Sequence, residues 1–276
     1  MSTGPLILVT GGTGTLGSHV VARLRDADRT TRVLSRGSHP SDKGVEYVVG
    51  DLLNDAGIEA AIDGAETIVH CAGGRKGDDE ATRNLVGAAS RAGVRHLVYI
   101  SVVGADRVPM VSGFDRAMFG YFGTKHATEQ VVSGSGLPWT TLRAAQFHDL
   151  LLLVARQMAK LPVLPVPSGI RFQPIDAGEV ADRLVQLALG EPAGLVPDLA
   201  GPRIYGVGDL LRAYLQARGM QRTMVPVRIP GEAAKALRAG ANLAPERAVG
   251  RRTWEEFLAE RVSPASGAEA RHDMAA

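Results

Sequence analysis

The sequence predicts an α/β protein whose core is a doubly wound parallel β-sheet. Short apolar runs rich in β-forming residues alternate with longer helical patterns from residue 6 to about residue 144. The runs are apolar on both sides, which is typical of strands covered by helices on both faces of a parallel sheet. A glycine-rich turn joins the first strand to the first helix. In such sheets a ligand is expected at the carboxyl ends of the strands, near the point where the strand order reverses.

Each element of this half has its own pattern in the chain. The first strand is LILVT at 6–10, and apolar residues at helical spacing follow it from 15 to 27. The further strands are predicted at 31–36, 45–51, 67–72, 96–101 and 139–144. The further helices are predicted at 57–64, at 79–93 with Gly93 as a stop signal, and around 121–134.

The pattern changes after about residue 150. The segment LPVLPVP at 161–167 carries three prolines, which interrupt regular structure and predict a connection between two parts. Further helices are predicted at 177–189, 207–219, 231–240 and 250–261. We therefore expect a sheet domain at 1–150, a smaller and mostly helical substrate-facing part at 151–263, and a disordered tail at 264–276.

The composition narrows the classes of partner and compartment. The 276 residues are 45% hydrophobic, and 31 Lys plus Arg against 29 Asp plus Glu leave a formal net charge of +2. This even balance does not favour binding to nucleic acid or to an anionic membrane. No apolar run approaches the roughly 20 residues of a membrane span, and the N-terminal run predicts a strand rather than a signal peptide. The seven histidines show no metal-binding spacing, and the single cysteine, Cys71, predicts a reducing, cytoplasmic compartment.

The stretch TGGTGTLG at 10–17 is the strongest functional signal. Gly11 allows a tight turn, Gly14 lets backbone N–H groups approach a pyrophosphate, and Gly17 lets the helix pack closely on the strand. The helix N-terminus adds partial positive charge toward the phosphates. Any tight strand-to-helix turn favours glycine, but three glycines in register after a strand favour dinucleotide binding. The residues predicted to contact the dinucleotide here are Thr10, Gly11, Gly12, Thr13, Gly14, Thr15, Leu16 and Gly17.

The ends of the next strands predict which dinucleotide binds. Where an NAD site usually has an acidic residue for the ribose hydroxyls, this chain has Ser35 and Arg36. A guanidinium pairs well with a 2′-phosphate, so NADP(H) is favoured over NAD(H); the alternative is a solvated loop arginine. Asp51 either accepts a hydrogen bond from the adenine amino group or caps the next helix. The remaining predicted contacts are Leu52, Cys71, Ala72 and Gly73, although Cys71 is more readily explained as a small buried hydrophobe.

Together these residues resemble the short-chain dehydrogenase/reductase superfamily, most closely its atypical NmrA-like branch and the related NAD(P)-binding, epimerase-like proteins. The matching segments are TGGTGTLG at 10–17, GDL at 50–52, the small residues at 70–74, YISVVGAD at 99–106, YFGTK at 121–125, and the stretches 137–151 and 201–219. The resemblance implies a Rossmann fold, with residues 1–150 as the NAD(P)-binding domain, and an oxidoreductase activity.

Tyr121 and Lys125 lie one helical turn apart, so both side chains share one face of the predicted helix. The resemblance implies that they form the Tyr-x-x-x-Lys pair of active members, with Ser101 as the third catalytic residue. Lys125 would lower the pKa of Tyr121 toward neutrality and hydrogen-bond the nicotinamide ribose. Tyr121 would exchange a proton with a substrate oxygen that Ser101 holds in place. The alternative is that Tyr121 packs in the core and Lys125 is solvated.

The resemblance also places the segment after the sixth strand beside the nicotinamide. Gln146, Phe147 and His148 are the candidates for touching the substrate, and Ala144 stands where many extended relatives have proline. His148 has an ordinary pKa near 6.5, so it is either a second acid/base or a structural histidine.

The predicted function is an NADP(H)-dependent oxidoreductase that transfers hydride to a carbonyl or quinone-like small molecule. One alternative is a non-catalytic redox sensor that binds the dinucleotide and a protein partner. Another is an epimerase or dehydratase that uses the coenzyme transiently. We expect a small-molecule substrate and no direct contact with nucleic acid or membrane, and leave assembly into a homo-oligomer open.

Overall fold

The structure is a computed structural model that describes residues 4–41, 44–74 and 77–262, so the tail predicted at 264–276 lies outside the described residues. The strands, numbered along the chain, are β1 (Leu6–Thr10), β2 (Thr31–Ser35), β3 (Val45–Val49), β4 (Ala65–His70), β5 (His96–Val102), β6 (Trp139–Ala144), β7 (Val163–Pro167), β8 (Arg171–Phe172), β9 (Gly194–Leu195), β10 (Tyr205–Gly206) and β11 (Thr223–Val227). The helices are α1 (Thr15–Asp26), α2 (Ile58–Ile62), α3 (Asp78–Arg91), α4 (Gly113–Ser133), α5 (His148–Met158), α6 (Ala177–Ala188), α7 (Val207–Arg218), α8 (Glu232–Arg238) and α9 (Trp254–Arg261).

Seven of these strands form one parallel sheet in the order β3-β2-β1-β4-β5-β6-β9. The chain winds outward from β1 to β3 and then returns to the other side of β1 with β4. The strand order therefore reverses between β1 and β4, whose carboxyl ends are Thr10 and His70. This arrangement confirms the predicted doubly wound α/β sheet, and it locates the expected ligand site between these two strand ends.

Helices cover both faces of the sheet, as its apolar strands require. Helices α1 and α6 pack together on one face, around buried residues such as Val20 and Leu184. Helices α2, α3 and α4 lie on the other face, where Leu85 and Leu97 are fully buried. Because α6 and β9 follow residue 150, part of the second half of the chain also belongs to the sheet layers. The division at residue 150 stays a prediction.

A separate apolar cluster holds the C-terminal part together. It joins α5, α7 and α9, with Leu152, Leu211 and Trp254 among its buried side chains. Trp254 is fully buried, and its ring centroid lies 5.7 Å from that of Phe257. Its Nε1 donates a hydrogen bond to the carbonyl oxygen of Leu210 at 3.1 Å. The predicted C-terminal helix thus docks on the body of the protein through an aromatic anchor.

The proline-rich segment forms a strand, which corrects the prediction of an irregular connection there. Strand β7 pairs in parallel with β11 in a sheet of two strands. Pro165 and Pro167 are two residues apart, so their nitrogen atoms point to the same side of the strand. Proline lacks an N–H donor, and it is tolerated where a strand has no partner on that side. Within the described chain, the two-stranded sheet leaves β7 with one such side.

Helix α4 begins at Gly113, eight residues before the predicted start. Ser112 and Asp115 form a capping box: the Ser112 hydroxyl accepts from the Asp115 N–H, and the Asp115 carboxylate accepts from the Ser112 N–H, each at 3.0 Å. The same carboxylate accepts a hydrogen bond from the N–H of Ala233 at 3.1 Å. The capping box therefore extends α4 by about two turns and ties its start to α8.

We expect Trp254→Ala to lower the free energy of unfolding by about 3–5 kcal/mol, because it empties a fully buried site and removes the hydrogen bond to Leu210. Urea denaturation followed by far-UV circular dichroism measures this change. Leu189→Ala, at an exposed position after α6, is the control and should cost less than about 0.5 kcal/mol. A cost for Trp254→Ala no larger than that of the control would contradict the docking of α9.

Candidate active site

Backbone atoms leave no room for a side chain at Gly11 or Gly17, in the turn between β1 and α1. Gly11 has a φ of +68°, and a Cβ there would lie 2.6 Å from the backbone nitrogen of Ala72. A Cβ on Gly17 would overlap the carbonyl oxygen of Gly11. The predicted close packing of strand, turn and helix is therefore present, and the turn lies directly against the loop that follows β4.

Gly14, in the same turn, faces open space. A Cβ on Gly14 would meet one described atom within 4 Å, the carbonyl oxygen of Gly11 at 3.3 Å. Helix α1 begins directly after Gly14, with no side-chain cap and no acidic residue in its first turn. Its first N–H groups are therefore available to a ligand, and the helix dipole favours an anion there. This cradle fits the diphosphate of a dinucleotide.

The loop after β2 carries the residues predicted to distinguish NADP(H) from NAD(H). Arg36 is exposed, and its guanidinium takes part in no ion pair among the residues described. Ser35 is buried; its Oγ accepts a hydrogen bond from the Gly37 N–H at 3.3 Å and lies 3.1 Å from Nε2 of His39. The serine therefore supports the loop from inside, and Arg36 is the exposed cation at the end of the strand.

Three other predicted coenzyme contacts have local structural roles. Both carboxylate oxygens of Asp51 accept hydrogen bonds within their own loop, from the Leu53 N–H and the Asn54 amide, each at 2.9 Å. Leu52 is buried in the core between the sheet and its helices. Burial raises the pKa of the Cys71 thiol to about 12, so this group stays protonated. Hydrogen bonding or burial within the protein explains each of these three residues without a ligand. Contact between these residues and a coenzyme stays a prediction.

Helix α4 brings the predicted catalytic pair to the carboxyl end of β5. The Lys125 ammonium is buried, donates a hydrogen bond to the carbonyl oxygen of Ile100 at 3.3 Å, and lies 5.8 Å from the ring centroid of Tyr121. Its Nζ is also 5.0 Å from the ring centroid of Tyr99. Ser101, next to Ile100, is buried, and its Oγ has no hydrogen-bond partner among the described residues. The alternative of a solvated lysine is therefore wrong.

The protonation of Tyr121 differs from the expectation. Tyr121 is 43% exposed, so it does not pack in the core. Loss of water on the protein side of its phenol group, and then the charge of the Asp78 carboxylate, raise the pKa of Tyr121 to about 12. The expected lowering by Lys125 is absent. The Lys125 ammonium is bonded to the Ile100 carbonyl, and burial lowers the pKa of Lys125 itself. Tyr121 is thus a protonated donor at neutral pH.

Asp78 is a residue of this site that no sequence pattern singled out. Its Oδ1 accepts a hydrogen bond from the Gly74 N–H at 2.5 Å, and its Oδ2 lies 3.9 Å from Nζ of Lys125. Burial raises the pKa of Asp78, and the charge of Lys125 opposes this rise. A Cβ on Gly73 would lie 3.2 Å from the Lys125 Nζ and 3.3 Å from the Asp78 Oδ2. The small residue after β4 therefore also makes room for this pair.

A buried ion pair, also missed from the sequence, fixes α4 against the sheet. Glu129 lies one turn beyond Lys125 and accepts hydrogen bonds from Nε and Nη2 of Arg143, at 2.8 and 2.7 Å. Arg143 pairs in register with Ser101, and its Nη1 lies 2.9 Å from a carboxylate oxygen of Asp106. Hydrogen bonding to Glu129 raises the pKa of Arg143 above its ordinary value. We call this ion pair the Glu129–Arg143 clamp. The clamp joins α4 to β6, the strand that pairs with the Ser101 strand, β5.

The predicted substrate residues lie at the start of α5. Gln146 is buried, and both polar atoms of its amide lack a partner within the described chain. Phe147 packs partly buried against the main core. His148 is fully buried, with its ring centroid 5.0 Å from that of Phe257 and 5.9 Å from that of Trp254. This geometry gives His148 a packing role, and substrate contact by Gln146, Phe147 and His148 stays a prediction.

Residues 4–41, 44–74 and 77–262 contain neither a candidate metal site nor a candidate membrane-spanning helix. No three His, Cys, Asp or Glu side chains come together there as a group that could hold a metal ion. No helix in these ranges combines the length and the apolar character needed to cross a membrane.

The model of the NAD(P)H-binding family matches residues 11–187, well over half of the chain. The chain belongs to this family. The match begins within the glycine turn and ends in α6, so it includes the cradle, the Tyr121–Lys125 pair and both helical layers of the sheet. Membership of the NAD(P)H-binding family confirms the group of coenzyme-binding proteins that the sequence resembles.

Relatives of this NAD(P)H-binding chain include two named reductases. An NAD(P)H azoreductase from Xenophilus azovorans is 28% identical over 222 residues, covering 78% of this chain and 74% of the relative. A (4-alkanoyl-5-oxo-2,5-dihydrofuran-3-yl)methyl phosphate reductase from Streptomyces griseus is 33% identical over 150 residues, covering 51% of this chain and 48% of the relative. The chain thus matches about half the length of the second relative.

Solved structures share the fold over nearly the whole chain. An NADPH-dependent quinone oxidoreductase from Escherichia coli, in complex with NADPH, superposes with a TM-score of 0.76 at 19% identity, covering 92% of this chain and 99% of the other. A UDP-glucose 4-epimerase from Thermotoga maritima, with UDP-glucose, gives a TM-score of 0.70 at 17% identity, covering 92% and 96%. At these identities the likeness shows the fold alone.

We expect the free energy of unfolding to rise as the pH rises from about 4 to 6.5. Burial lowers the pKa of His148 from 6.5 to about 4, so between these values the unfolded chain binds a proton that the folded chain does not. This shift corresponds to about 3 kcal/mol at most. Burial also lowers the pKa of His70 to about 3, which adds to the same trend. Urea denaturation at about pH 5 and about pH 7 measures the difference.

His148→Phe should remove the share of this pH dependence that His148 contributes, because phenylalanine packs against the neighbouring rings without binding a proton. His126→Phe replaces a half-exposed histidine of α4 and controls for the loss of an imidazole as such. If His148→Phe kept the full pH dependence of the wild-type protein, His148 would not be a buried neutral ring.

Proposed function

We propose that this chain is an NADPH-dependent oxidoreductase that transfers hydride to a carbonyl or quinone-like small molecule. One observation carries the proposal. A protonated and partly exposed phenol, Tyr121, shares a helix face with the buried Lys125 at the carboxyl end of the sheet, where the glycine turn lies. A cradle for a dinucleotide and a proton donor at the same sheet edge are what a hydride-transferring reductase needs.

The relatives support this class of reaction. The azoreductase, the Streptomyces reductase and the quinone oxidoreductase are all named for reductions, which supports the class of NAD(P)H-dependent oxidoreductase for this chain. They favour net reduction over the transient use of the coenzyme that an epimerase makes. The structural neighbours include an epimerase as well, so the fold by itself does not separate the two.

The side chains of the site have distinct roles in the proposed reduction. When bound, NADPH would supply a hydride for the carbonyl carbon of a ketone acceptor. Tyr121 donates its proton to the acceptor oxygen, and the unpartnered hydroxyl of Ser101 holds that oxygen by a hydrogen bond. Lys125 would hydrogen-bond the nicotinamide ribose of the bound coenzyme. Asp78 and the Ile100 carbonyl hold Lys125 in place.

The preference for NADPH rests on the end of β2. Arg36 is the exposed cation there, and among the described residues it has no ion-pair partner of its own. A 2′-phosphate would give it one, with charge-assisted hydrogen bonds that NADH cannot make. The single cysteine of the chain supports a reducing, cytoplasmic compartment as the place where the reaction runs.

We expect Tyr121→Phe to lower kcat at least about tenfold, since it removes the proton donor and nothing else. The dissociation constant for NADPH should change by less than about twofold. A panel of quinones and ketones, with NADPH oxidation followed by absorbance, measures turnover, and calorimetry measures coenzyme binding. Tyr214→Phe, which removes the hydroxyl of a buried tyrosine of α7, is the matched control and should keep wild-type turnover.

Two results would count against this assignment. Wild-type turnover by Tyr121→Phe would contradict the role of Tyr121. Tight NADPH binding by the wild-type protein, with no consumption of NADPH across the panel, would favour the redox sensor over the enzyme.

We expect Arg36→Ala to raise the dissociation constant for NADPH about tenfold and to leave that for NADH within about twofold, because only NADPH carries the 2′-phosphate. Calorimetric titration measures both constants, and the shift in melting temperature at saturating coenzyme gives a second measurement. Arg25→Ala replaces another partly exposed arginine, on α1, and should alter neither constant. An equal loss for both coenzymes would show that Arg36 does not contact the 2′-phosphate.

A further inference from the structure

The first half of α4 exposes large apolar side chains on a single face. Phe114 is 44% exposed, Met118 51% and Tyr121 43%. At 100° per residue these three positions fall within about 60° of one another around the helix, and Lys125 falls in the same sector. We call Phe114, Met118 and Tyr121 the α4 strip. Exposed apolar residues are common singly, whereas an aligned row of them marks a binding surface.

The α4 strip ends at the catalytic pair. It runs from Phe114 to Tyr121, a rise of about 10 Å along the helix axis, and one turn further the same face carries the buried Lys125. The charged residues in the first half of α4, Asp115 and Arg116, are bonded to groups outside the strip. Asp115 is buried and bonded to Ser112 and Ala233, and Arg116 donates a hydrogen bond to the carbonyl oxygen of Met110 at 3.1 Å. The only polar group on the strip is therefore the Tyr121 hydroxyl.

Space is open on one flank of the strip and closed on the other. A Cβ on Gly113 or on Gly120 would meet no described atom within 4 Å, so this flank is free for a ligand. On the other flank, a Cβ on Gly231 would lie 3.6 Å from Cδ1 of Phe114, so the start of α8 borders the strip there. The strip is thus an exposed apolar row that ends at the Tyr121 phenol, open on one side and bordered by α8 on the other.

We infer that the α4 strip binds the apolar part of the acceptor, so that the substrate is a quinone or ketone with an alkyl or aryl extension up to about 10 Å long. This inference rests on the proposed function. An acceptor oxygen at the Tyr121 hydroxyl puts an attached chain or ring within reach of Met118 and then Phe114. A thioether and an aromatic ring favour flexible alkyl chains and flat rings. A sugar nucleotide would find no polar partner along the strip beyond the phenol.

The reaction balances without a further reactant. A quinone gains a hydride from NADPH and a proton from Tyr121 and becomes a hydroquinone, while NADPH becomes NADP⁺. Tyr121 then regains its proton from water. The extension takes no part in the chemistry and contributes only binding, which truncated substrates lose.

The test compares two 1,4-benzoquinones, one with a methyl substituent and one with an n-hexyl substituent. For the wild-type protein with NADPH, kcat/KM should be at least about tenfold higher for the hexyl compound, because further methylene groups leave water on the strip. In the double variant Phe114→Ser, Met118→Ser the ratio of the two kcat/KM values should fall below about threefold. Met118→Leu should keep the wild-type ratio, and Leu189→Ser, at an exposed site after α6, is the control.

Calorimetric binding of the matching methyl and hexyl hydroquinones to the NADP⁺-saturated protein gives a readout that needs no turnover. A hexyl preference that the wild-type protein shows and the double variant loses supports the inference. If the wild-type protein showed this preference but reduced no quinone, the proposed reduction would be overturned and the inference about binding would stand. Equal affinities in the wild-type protein, or a preference that the double variant keeps, overturn the inference while leaving the reduction intact. Size-exclusion chromatography tests whether a second copy of the chain covers the strip instead. If the wild-type protein is a dimer and the double variant is a monomer with an unchanged hexyl preference, the strip is a contact between copies, and the inference is overturned.

Discussion

The burial of the Lys125 ammonium is the constraint on which the candidate site depends. A charge removed from water is costly unless groups of the protein replace the water. Here the Ile100 carbonyl, the Asp78 carboxylate and the face of the Tyr99 ring do so, and all three come from the carboxyl-end region of the sheet. These contacts hold the helix that carries Lys125 against the carboxyl end of β5. The Glu129–Arg143 clamp one turn further along fixes the same face again.

Loss of hydration is the larger cause of the raised pKa of Tyr121, and the charge of Asp78 adds to it. Asp78 favours the charged form of Lys125 and disfavours the phenolate of Tyr121, because its own negative charge faces both groups. A reductase needs a protonated donor when the hydride moves, whereas an enzyme working in the oxidising direction needs a base. The charge of Asp78 therefore favours the protonated form of Tyr121.

The features predicted correctly from the sequence are those with a local spacing. The glycine turn and the alternation of strands and helices each show within a few residues of chain, and so does the shared helix face of Tyr121 and Lys125, whose catalytic roles stay a prediction. Asp78 and Arg143 were missed because their partners are distant in sequence, and an acid at a helix start or an arginine in a strand has no periodic signature. The raised pKa of Tyr121 depends on burial, which no spacing reveals. The early start of α4 was visible, since Ser112 and Asp115 have the spacing of a capping box.

The fold is shared by a quinone oxidoreductase and by an epimerase with similar TM-scores, so the backbone does not decide between their chemistries. The cradle and the Tyr–Lys pair serve either reaction, because both begin with a dinucleotide and a proton-exchanging group. What differs is the surface that an acceptor meets beyond the phenol. In this chain the exposed apolar side chains lie on the first half of α4, which Asp115 holds to α8, whereas Lys125 lies on the second half, beside Asp78 of α3. The proposed choice of acceptor by the exposed half is therefore separate from the contacts that hold Lys125 and Asp78.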